Sequence, residues 1–326
     1  MNALPIIDVS PLVNGADASR VARELDRACR ELGFFYVVGH GVDEKLQAEL
    51  ERLSRAFFAL PEPEKSKVAM ARGGRAWRGW FPLGGELTSG RPDLKEGIYF
   101  GQELGPDDPR VRAGLPLHGP NLFPELAGFR EAVLAYMQAV AKLGHTLMRG
   151  LALGLQLPPD FFDESLREPT VLFRIFNYPS DPQAASSERW GVGEHTDYGV
   201  LTLLKQDDCG GLQVRTPSGW LEAPPIANAF VCNLGDMLER MTGGLYRSTP
   251  HRVCNVAGRD RLSWPLFFDP SWDAPVRPIA IPEAARVQGD RSERWDGKSV
   301  FDFRGTYGEY LLGKVSKVFP ELATKL

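Results

Sequence analysis

Apolar positions in the first third of the chain recur at helical spacing, broken by short all-apolar runs. Val21, Leu25, Ala28 and Leu32 fall on one face of a helix that Asp17 or Ser19 can cap and Gly33 stops. Phe34-Phe35-Tyr36-Val37-Val38 then reads as a buried strand, and Gly39-His40-Gly41 as a turn. Asp43 caps a second helix with Leu46, Leu50, Leu53 and Phe57 as its stripe, and Pro61 and Pro63 end it. Ahead of both, residues 5–9 read as an edge strand. A long helix over about 124–155 carries Phe129, Val133, Met137, Val140 and Leu147, a face suited to bracing a sheet. His145 within it reads as packing or surface.

Beyond Val171 the pattern changes to short strands with turn signals between them. They are predicted at 171–178, 199–205, 211–216, 229–234, 237–241, 247–256 and 263–269. Gly210-Gly211, Asn233-Leu234-Gly235-Asp236 and Gly243-Gly244 supply turns. Strands without intervening helices argue a jelly-roll sandwich or barrel rather than a βαβ sheet. From Pro275 the chain is loop-like until a terminal helix over 307–318, with Tyr307, Leu311 and Val315 on one face. The fold class expected is therefore mainly β with flanking helices. Residues 1–120 form an N-terminal helix-and-strand region and residues 121–326 the jelly-roll region, together one compact unit.

Two stretches break the pattern. Residues 71–101 are irregular and rich in Gly, Arg and Trp. They suit a loop that covers a substrate, or equally a surface loop whose tryptophans plug a core edge. The strand at 171–178 is apolar on both faces, yet Arg174 sits on it. A buried guanidinium needs a partner, either a fixed carboxylate or an anionic substrate.

The chemistry centres on Gly193-Glu194-His195-Thr196-Asp197-Tyr198-Gly199. On an extended strand His195 and Asp197 share a face, and an imidazole beside a carboxylate can grip one metal ion. His251 is the candidate third ligand. Two His and one carboxylate on one side of an ion leave open positions opposite, the facial triad of non-haem Fe(II) oxygenases. Ten positions after His251 come Arg261-Leu262-Ser263, a guanidinium and a hydroxyl on one strand face that could hold a carboxylate. Each piece has a bland reading by itself: a Thr-capped turn, a core histidine, a surface ion pair. Their order along the chain is what those readings leave unexplained.

Composition narrows the classes. With 326 residues, 43% hydrophobic and 25% charged, the chain is of ordinary globular type. A net charge of -4 gives no general attraction to nucleic acid or anionic membrane. No apolar run is long enough to span a bilayer, and Met1 to Asp8 lacks the pattern of a secretory signal. Cys29, Cys209, Cys232 and Cys254 show no C-x-x-C spacing and read as free thiols of a reducing, cytoplasmic compartment. No protein partner is implied.

These pieces together resemble the isopenicillin N synthase-like branch of Fe(II)- and 2-oxoglutarate-dependent oxygenases. The matching segments are Pro5-Ile6-Ile7-Asp8, Gly33-Phe34-Phe35-Tyr36, Asn177-Tyr178-Pro179, His195-Thr196-Asp197, Gly210-Gly211-Leu212-Gln213-Val214, Asn233-Leu234-Gly235-Asp236, Pro250-His251-Arg252-Val253 and Arg261-Leu262-Ser263, in family order. The resemblance implies a distorted double-stranded β-helix and Fe(II) on His195, Asp197 and His251. It implies O2 and 2-oxoglutarate as co-substrates, the latter's distal carboxylate held by Arg261 and Ser263 with Tyr178 nearby. Succinate and CO2 are then released as a substrate C–H bond is oxidised, most simply hydroxylated. The founding synthase of the branch uses a similar R-x-S for its peptide substrate without 2-oxoglutarate, so an oxidase of that type is the alternative.

A second, local resemblance is to the bacterial ethylene-forming enzyme, which uses 2-oxoglutarate and binds L-arginine. It runs through residues 79–96, Asp108-Pro109-Arg110-Val111, His118-Gly119-Pro120, His195 to Gly199 and Gln206-Asp207-Asp208. It implies substrate contacts at Glu96, Arg174 and Tyr198. The substrate expected is small, polar and carboxylate-bearing, an amino acid or a derivative. A zinc hydrolase on the same ligands leaves Arg261 and Ser263 unexplained. A non-catalytic metabolite-binding protein leaves the intact triad unexplained.

Overall fold

The computed structural model describes residues 3–88, 90–181, 190–255, 257–280 and 303–318. Its strands are β1 (Ile6–Asp8), β2 (Phe34–Val38), β3 (Gly79–Phe81), β4 (Leu87–Thr88), β5 (Arg91–Pro92), β6 (Glu96–Gly101), β7 (Pro169–Tyr178), β8 (Val192–His195), β9 (Leu201–Gln206), β10 (Leu212–Thr216), β11 (Gly219–Glu222), β12 (Phe230–Leu234), β13 (His251–Val253) and β14 (Arg261–Ser271). The helices are α1 (Ser10–Asn14), α2 (Ser19–Glu31), α3 (Glu44–Phe58), α4 (Glu62–Lys65), α5 (Pro109–Arg112), α6 (Phe129–Gly154), α7 (Asp236–Met241) and α8 (Tyr307–Val318). Among the described residues an eight-stranded sheet has the order β1-β2-β12-β9-β14-β7-β6-β3, and a four-stranded sheet the order β11-β10-β13-β8. β4 and β5 pair as a separate hairpin.

The two central strands of the large sheet show how the sequence places the site. Along β14, Arg261, Ser263, Pro265, Phe267 and Asp269 all line a cavity, while Leu262, Trp264, Leu266 and Phe268 are buried on the other face. Along β7, Leu172, Arg174, Phe176 and Tyr178 line the same cavity. Phe173, on the other face, packs on Tyr136 of α6 with ring centroids 5.2 Å apart. This is the alternation of a strand with a site on one face and a helix on the other. Helix and sheet approach closely at Gly144 of α6, where a Cβ would lie 2.7 Å from the Phe268 ring. Any larger residue there would push α6 off the sheet.

Most elements stand where the hydrophobic pattern puts them, with informative exceptions. Residues 237–241 are helical rather than extended, because α7 begins directly after β12, with only Gly235 between them and with Asp236 and Glu239 in its first turn, favourable at a helix N-terminus. The hydrophobic pattern does not pick out β8 or β11. Residues 71–101 are no simple loop: β3 and β6 inside them extend the large sheet, and β6 pairs with β7. Trp77 and Trp80 are buried, as the core-plugging reading expects. The loop expected from Pro275 lies largely outside the described residues, as does Val256. No described helix is long and apolar enough to cross a membrane.

Candidate active site

A cavity of about 160 Å³ is lined by residues of both sheets, of the 71–101 segment and of α8. At its base His195, Asp197 and His251 bring one nitrogen or oxygen each to within 4.8 Å of one another. His195 is the last residue of β8 and His251 the first of β13, and the two are direct cross-strand partners. Asp197 does not lie on a strand. It stands in the turn after β8, so the shared strand face expected for His195 and Asp197 is replaced by a turn that brings the carboxylate back. Asp197 Oδ1 is 3.8 Å from Nε2 of each imidazole.

The surrounding hydrogen bonds fix which atoms face the centre. His195 Nδ1 lies 2.8 Å from the Gly193 carbonyl and His251 Nδ1 3.2 Å from that of Thr249. Each ring then carries its proton on Nδ1 and turns the Nε2 lone pair inward, as a metal-binding imidazole does. Asp197 Oδ2 accepts from Thr202 Oγ1 at 2.6 Å and Asn233 Nδ2 at 2.7 Å, leaving Oδ1 for the centre. Burial pushes Asp197 up, but the two imidazoles and these hydrogen bonds bring it below the usual carboxylate range. Burial, with His195 alongside, pulls His251 down to about 4, so its ring is neutral near pH 7. Two imidazoles and one carboxylate, oriented by their neighbours, fit Fe(II).

Arg261 is fully buried and half committed. Its Nε donates to the Gly210 carbonyl at 2.6 Å and its Nη2 to Gln206 Oε1 at 3.0 Å. Nη1 has no partner among the described residues. The guanidinium stands 4.8 Å from the Tyr178 ring centroid, and Ser263 Oγ lies 3.4 Å from Tyr178 Oη. All three residues line the cavity, and an idle buried N–H beside a hydroxyl suits a carboxylate.

Arg174 also lines the cavity. Its guanidinium lies 3.5 Å from the Tyr99 ring centroid, and Nη1 donates to the Phe100 and Phe173 carbonyls at 3.2 Å. Tyr198 is on the wall as well, with Lys314 of α8 5.4 Å from its ring centroid. Glu96 is not on this wall. It accepts from Lys65 Nζ at 2.7 Å, Trp80 Nε1 at 2.9 Å and Asn177 Nδ2 at 3.1 Å, which satisfies its carboxylate away from the cavity. Its partner is Lys65, so a bridge from Glu96 to Arg174 is not made either.

The acid that the glycine-rich segment brings to the cavity is Glu86. It accepts from the Tyr99 hydroxyl, and Lys95 Nζ lies 2.8 Å from its other oxygen. Burial pushes Glu86 up, but Lys95 and Tyr99 outweigh that and hold it below its usual range. Lys95 is held above its ordinary value despite burial, because Asp93 and Glu86 flank it. Asp269 adds another carboxylate to the wall, accepting from Tyr307 Oη and from the Val200 amide. Burial raises it to about 7. Gly199 permits its approach, since a Cβ there would fall 1.4 Å from Asp269 Oδ1. Asp269 was legible in the alternation that picks out Arg261 and Ser263. Glu86 and Lys95 carried no signal separating them from Glu96.

Comparison with known proteins agrees with this geometry. Residues 4–126 match the family model described as the N-terminal region of non-haem dioxygenases in morphine synthesis, and residues 169–270 match that of the 2OG-Fe(II) oxygenase superfamily. A probable iron/ascorbate oxidoreductase of Dictyostelium discoideum is 49% identical over 98% of this chain and 95% of its own. A homoarginine-6-hydroxylase of Oryza sativa subsp. japonica is 38% identical over 96% of both chains. A Neurospora crassa protein, crystallised in complex with alpha-KG and thymine, superposes with a TM-score of 0.78 at 27% identity, covering 99% of this chain and 97% of that one. Triad, buried arginine and similarity along the whole chain lead to one family: the chain belongs to the 2-oxoglutarate- and Fe(II)-dependent oxygenases.

Proposed function

We propose that the protein oxidises, most simply hydroxylates, a C–H bond of a small amino-acid-like substrate while converting 2-oxoglutarate to succinate and CO2. Iron held by His195, Asp197 and His251 supplies, with O2 and 2-oxoglutarate, the oxidising power for that bond. The chain's own residues position the partners and exclude water. Arg261 offers its idle Nη1 to the distal carboxylate of 2-oxoglutarate, with Ser263 and Tyr178 beside it. Asn233 and Thr202 orient Asp197. Leu311 and Val315 of α8 close the cavity with apolar surface.

The substrate class rests on one observation: both signs of charge stand on one cavity wall, Arg174 and Lys95 against Glu86 and Asp269. A carboxylate would meet Arg174 and a cationic end would meet the acids, with Tyr198 alongside. A relative named for homoarginine hydroxylation supports this reading. Glu86 replaces Glu96 in the scheme. We read the two sheets as the distorted double-stranded β-helix of the family. We also read residues 1–120 and 121–326 as one unit, since β1, β2, β3 and β6 sit in the same sheet as β7, β9, β12 and β14. The test is a panel of amino acids and apolar controls, with succinate, ethylene and product mass as readouts. Succinate release should be strongest with substrates carrying a carboxylate and a cationic group. A preferred substrate that is apolar and lacks a carboxylate would overturn the proposal.

A further inference from the structure

A second cavity, of about 230 Å³, lies apart from the triad. Arg78, Gln102, Arg110, His118, Glu168 and Thr170 are on its wall, and none of the three metal-site residues is. Leu172 of β7 contributes to both cavities.

Arg78 is the unusual member. It is 2% exposed. Nη2 donates to the Leu117 carbonyl at 2.7 Å, but Nε and Nη1 have no hydrogen-bond partner among the described residues. The guanidinium rests on Gly101, where a Cβ would fall 2.1 Å from Nη2, so it is held in place. Burial first, then the nearby Arg174 charge, draws its pKa down to about 9, which leaves it protonated at neutral pH.

Asp273 shares the cavity wall but makes no hydrogen bond to Arg78 Nε or Nη1, and Glu103 and Glu168 are committed elsewhere. Glu103 is occupied by the Asn121 backbone and side-chain amides, at 2.9 and 2.7 Å, and by Arg130 at 3.4 Å. Glu168 pairs with Arg110 at 3.2 Å, and Arg110 pairs also with Asp108 at 2.8 Å. A buried cation with two idle donors is costly unless a counter-ion reaches it. Arg261 presents the same signature in the first cavity: full burial, partial commitment, one idle donor.

We propose that the Arg78 cavity is a second binding site, for a small oxyanion of the carboxylate or phosphate type. Two idle N–H donors on one fixed guanidinium match the oxygens of a small anion, as a charge-assisted pair. The site is not that of the oxidised substrate, because no metal-site residue borders it. It is coupled to the first by position: Arg174 donates to the Phe100 carbonyl, next to the Gly101 that carries Arg78.

The test uses the whole chain with Fe(II) and saturating 2-oxoglutarate under anaerobic conditions, so that the first cavity is filled. Inorganic phosphate and acetate are titrated separately by calorimetry at constant ionic strength. Saturable binding of either is expected, weakened at least tenfold in Arg78→Met; the tighter of the two identifies the anion type. Absence of saturable binding, or equal binding by Arg78→Met, would overturn the proposal. Should Arg78→Met not fold, selenate soaked into crystals of the unaltered protein decides. An anomalous peak within hydrogen-bond reach of Arg78 Nε or Nη1 supports the site, and peaks found only elsewhere overturn it.

Discussion

His195 and His251 face each other across β8 and β13, with ring centroids 4.2 Å apart, so one strand pairing assembles two of the three donors of the candidate metal site. The third donor, Asp197, is held from behind by Asn233 of β12 and Thr202 of β9, both in the other sheet. The centre therefore depends on two sheets keeping their relative position. Its donors should fail separately from its supports.

Replacing His251 by Ala should abolish turnover and most iron binding, since two donors do not hold the ion. Asn233→Ala keeps all three donors but frees Asp197 to turn. Its iron affinity should fall roughly 10- to 100-fold, the usual effect of removing a group that orients a ligand. Metal content after dialysis against graded chelator measures both. Full iron occupancy and activity in His251→Ala would remove the triad.

Loss of the Arg261 Nη1 contact should act on 2-oxoglutarate alone. A charge-assisted contact is worth roughly 1.5–3 kcal/mol, so Arg261→Gln should raise the KM for 2-oxoglutarate about ten- to a hundredfold. Arg261→Lys should recover only part, because an ammonium cannot reproduce the planar donor set that also reaches Gly210 and Gln206. Oxygen consumption that needs no 2-oxoglutarate would contradict this assignment.

Glu86 and Glu96 should separate cleanly. Glu86→Gln should raise the KM for the amino-acid-like substrate about tenfold, on the scale of one charged contact, while the KM for 2-oxoglutarate stays. Glu96→Gln should leave both KM values nearly unchanged. It should lower stability by roughly 1–3 kcal/mol, because buried Lys65 loses its carboxylate. The reverse pattern in steady-state kinetics and denaturant melts would restore Glu96 to the site.

Arg174→Ala should spare iron and 2-oxoglutarate binding, slow substrate-coupled turnover and raise the fraction of 2-oxoglutarate consumed without product. Packing on Tyr99 is lost as well, so some stability should go with it. Comparing succinate with product in single reactions gives the coupling. Equal weakening of every ligand would make Arg174 purely structural.

Asp269 gives the metal-free protein a pH signature. Burial raises its folded pKa to about 7, above its unfolded value, so folding favours the protonated form. That contribution is complete below the unfolded value near 4 and is lost as pH rises through about 7. The melting temperature of the wild type minus that of Asp269→Asn should therefore fall between roughly pH 4 and 7 and level off above, in chelator-treated samples. A flat difference across that range would place the folded Asp269 pKa at its unfolded value.

Most elements, and much of the candidate site, are legible in the chain's local pattern. Apolar periodicity places α2, α3, α6 and α8, and the alternation along 171–178 and 261–269 puts Arg174, Arg261 and Ser263 on faces that line the cavity. These are local properties, because side-chain direction along a strand or helix is fixed by the backbone period. The candidate ligands were legible for the same reason: only a few residue types bind iron, and His195, Asp197 and His251, which the structure brings within 4.8 Å of one another, stand in short distinctive contexts. Contacts distant in sequence set the rest. Asp197 reaches the centre from a turn, α7 replaces an expected strand, and 71–101 joins the large sheet through β6 and β7. Glu86 and Glu96 stand ten positions apart in that segment, and no local rule tells which faces the cavity. Pairing with Lys65, Trp80 and Asn177 turns Glu96 away, and pairing with Lys95 and Tyr99 keeps Glu86 on the wall.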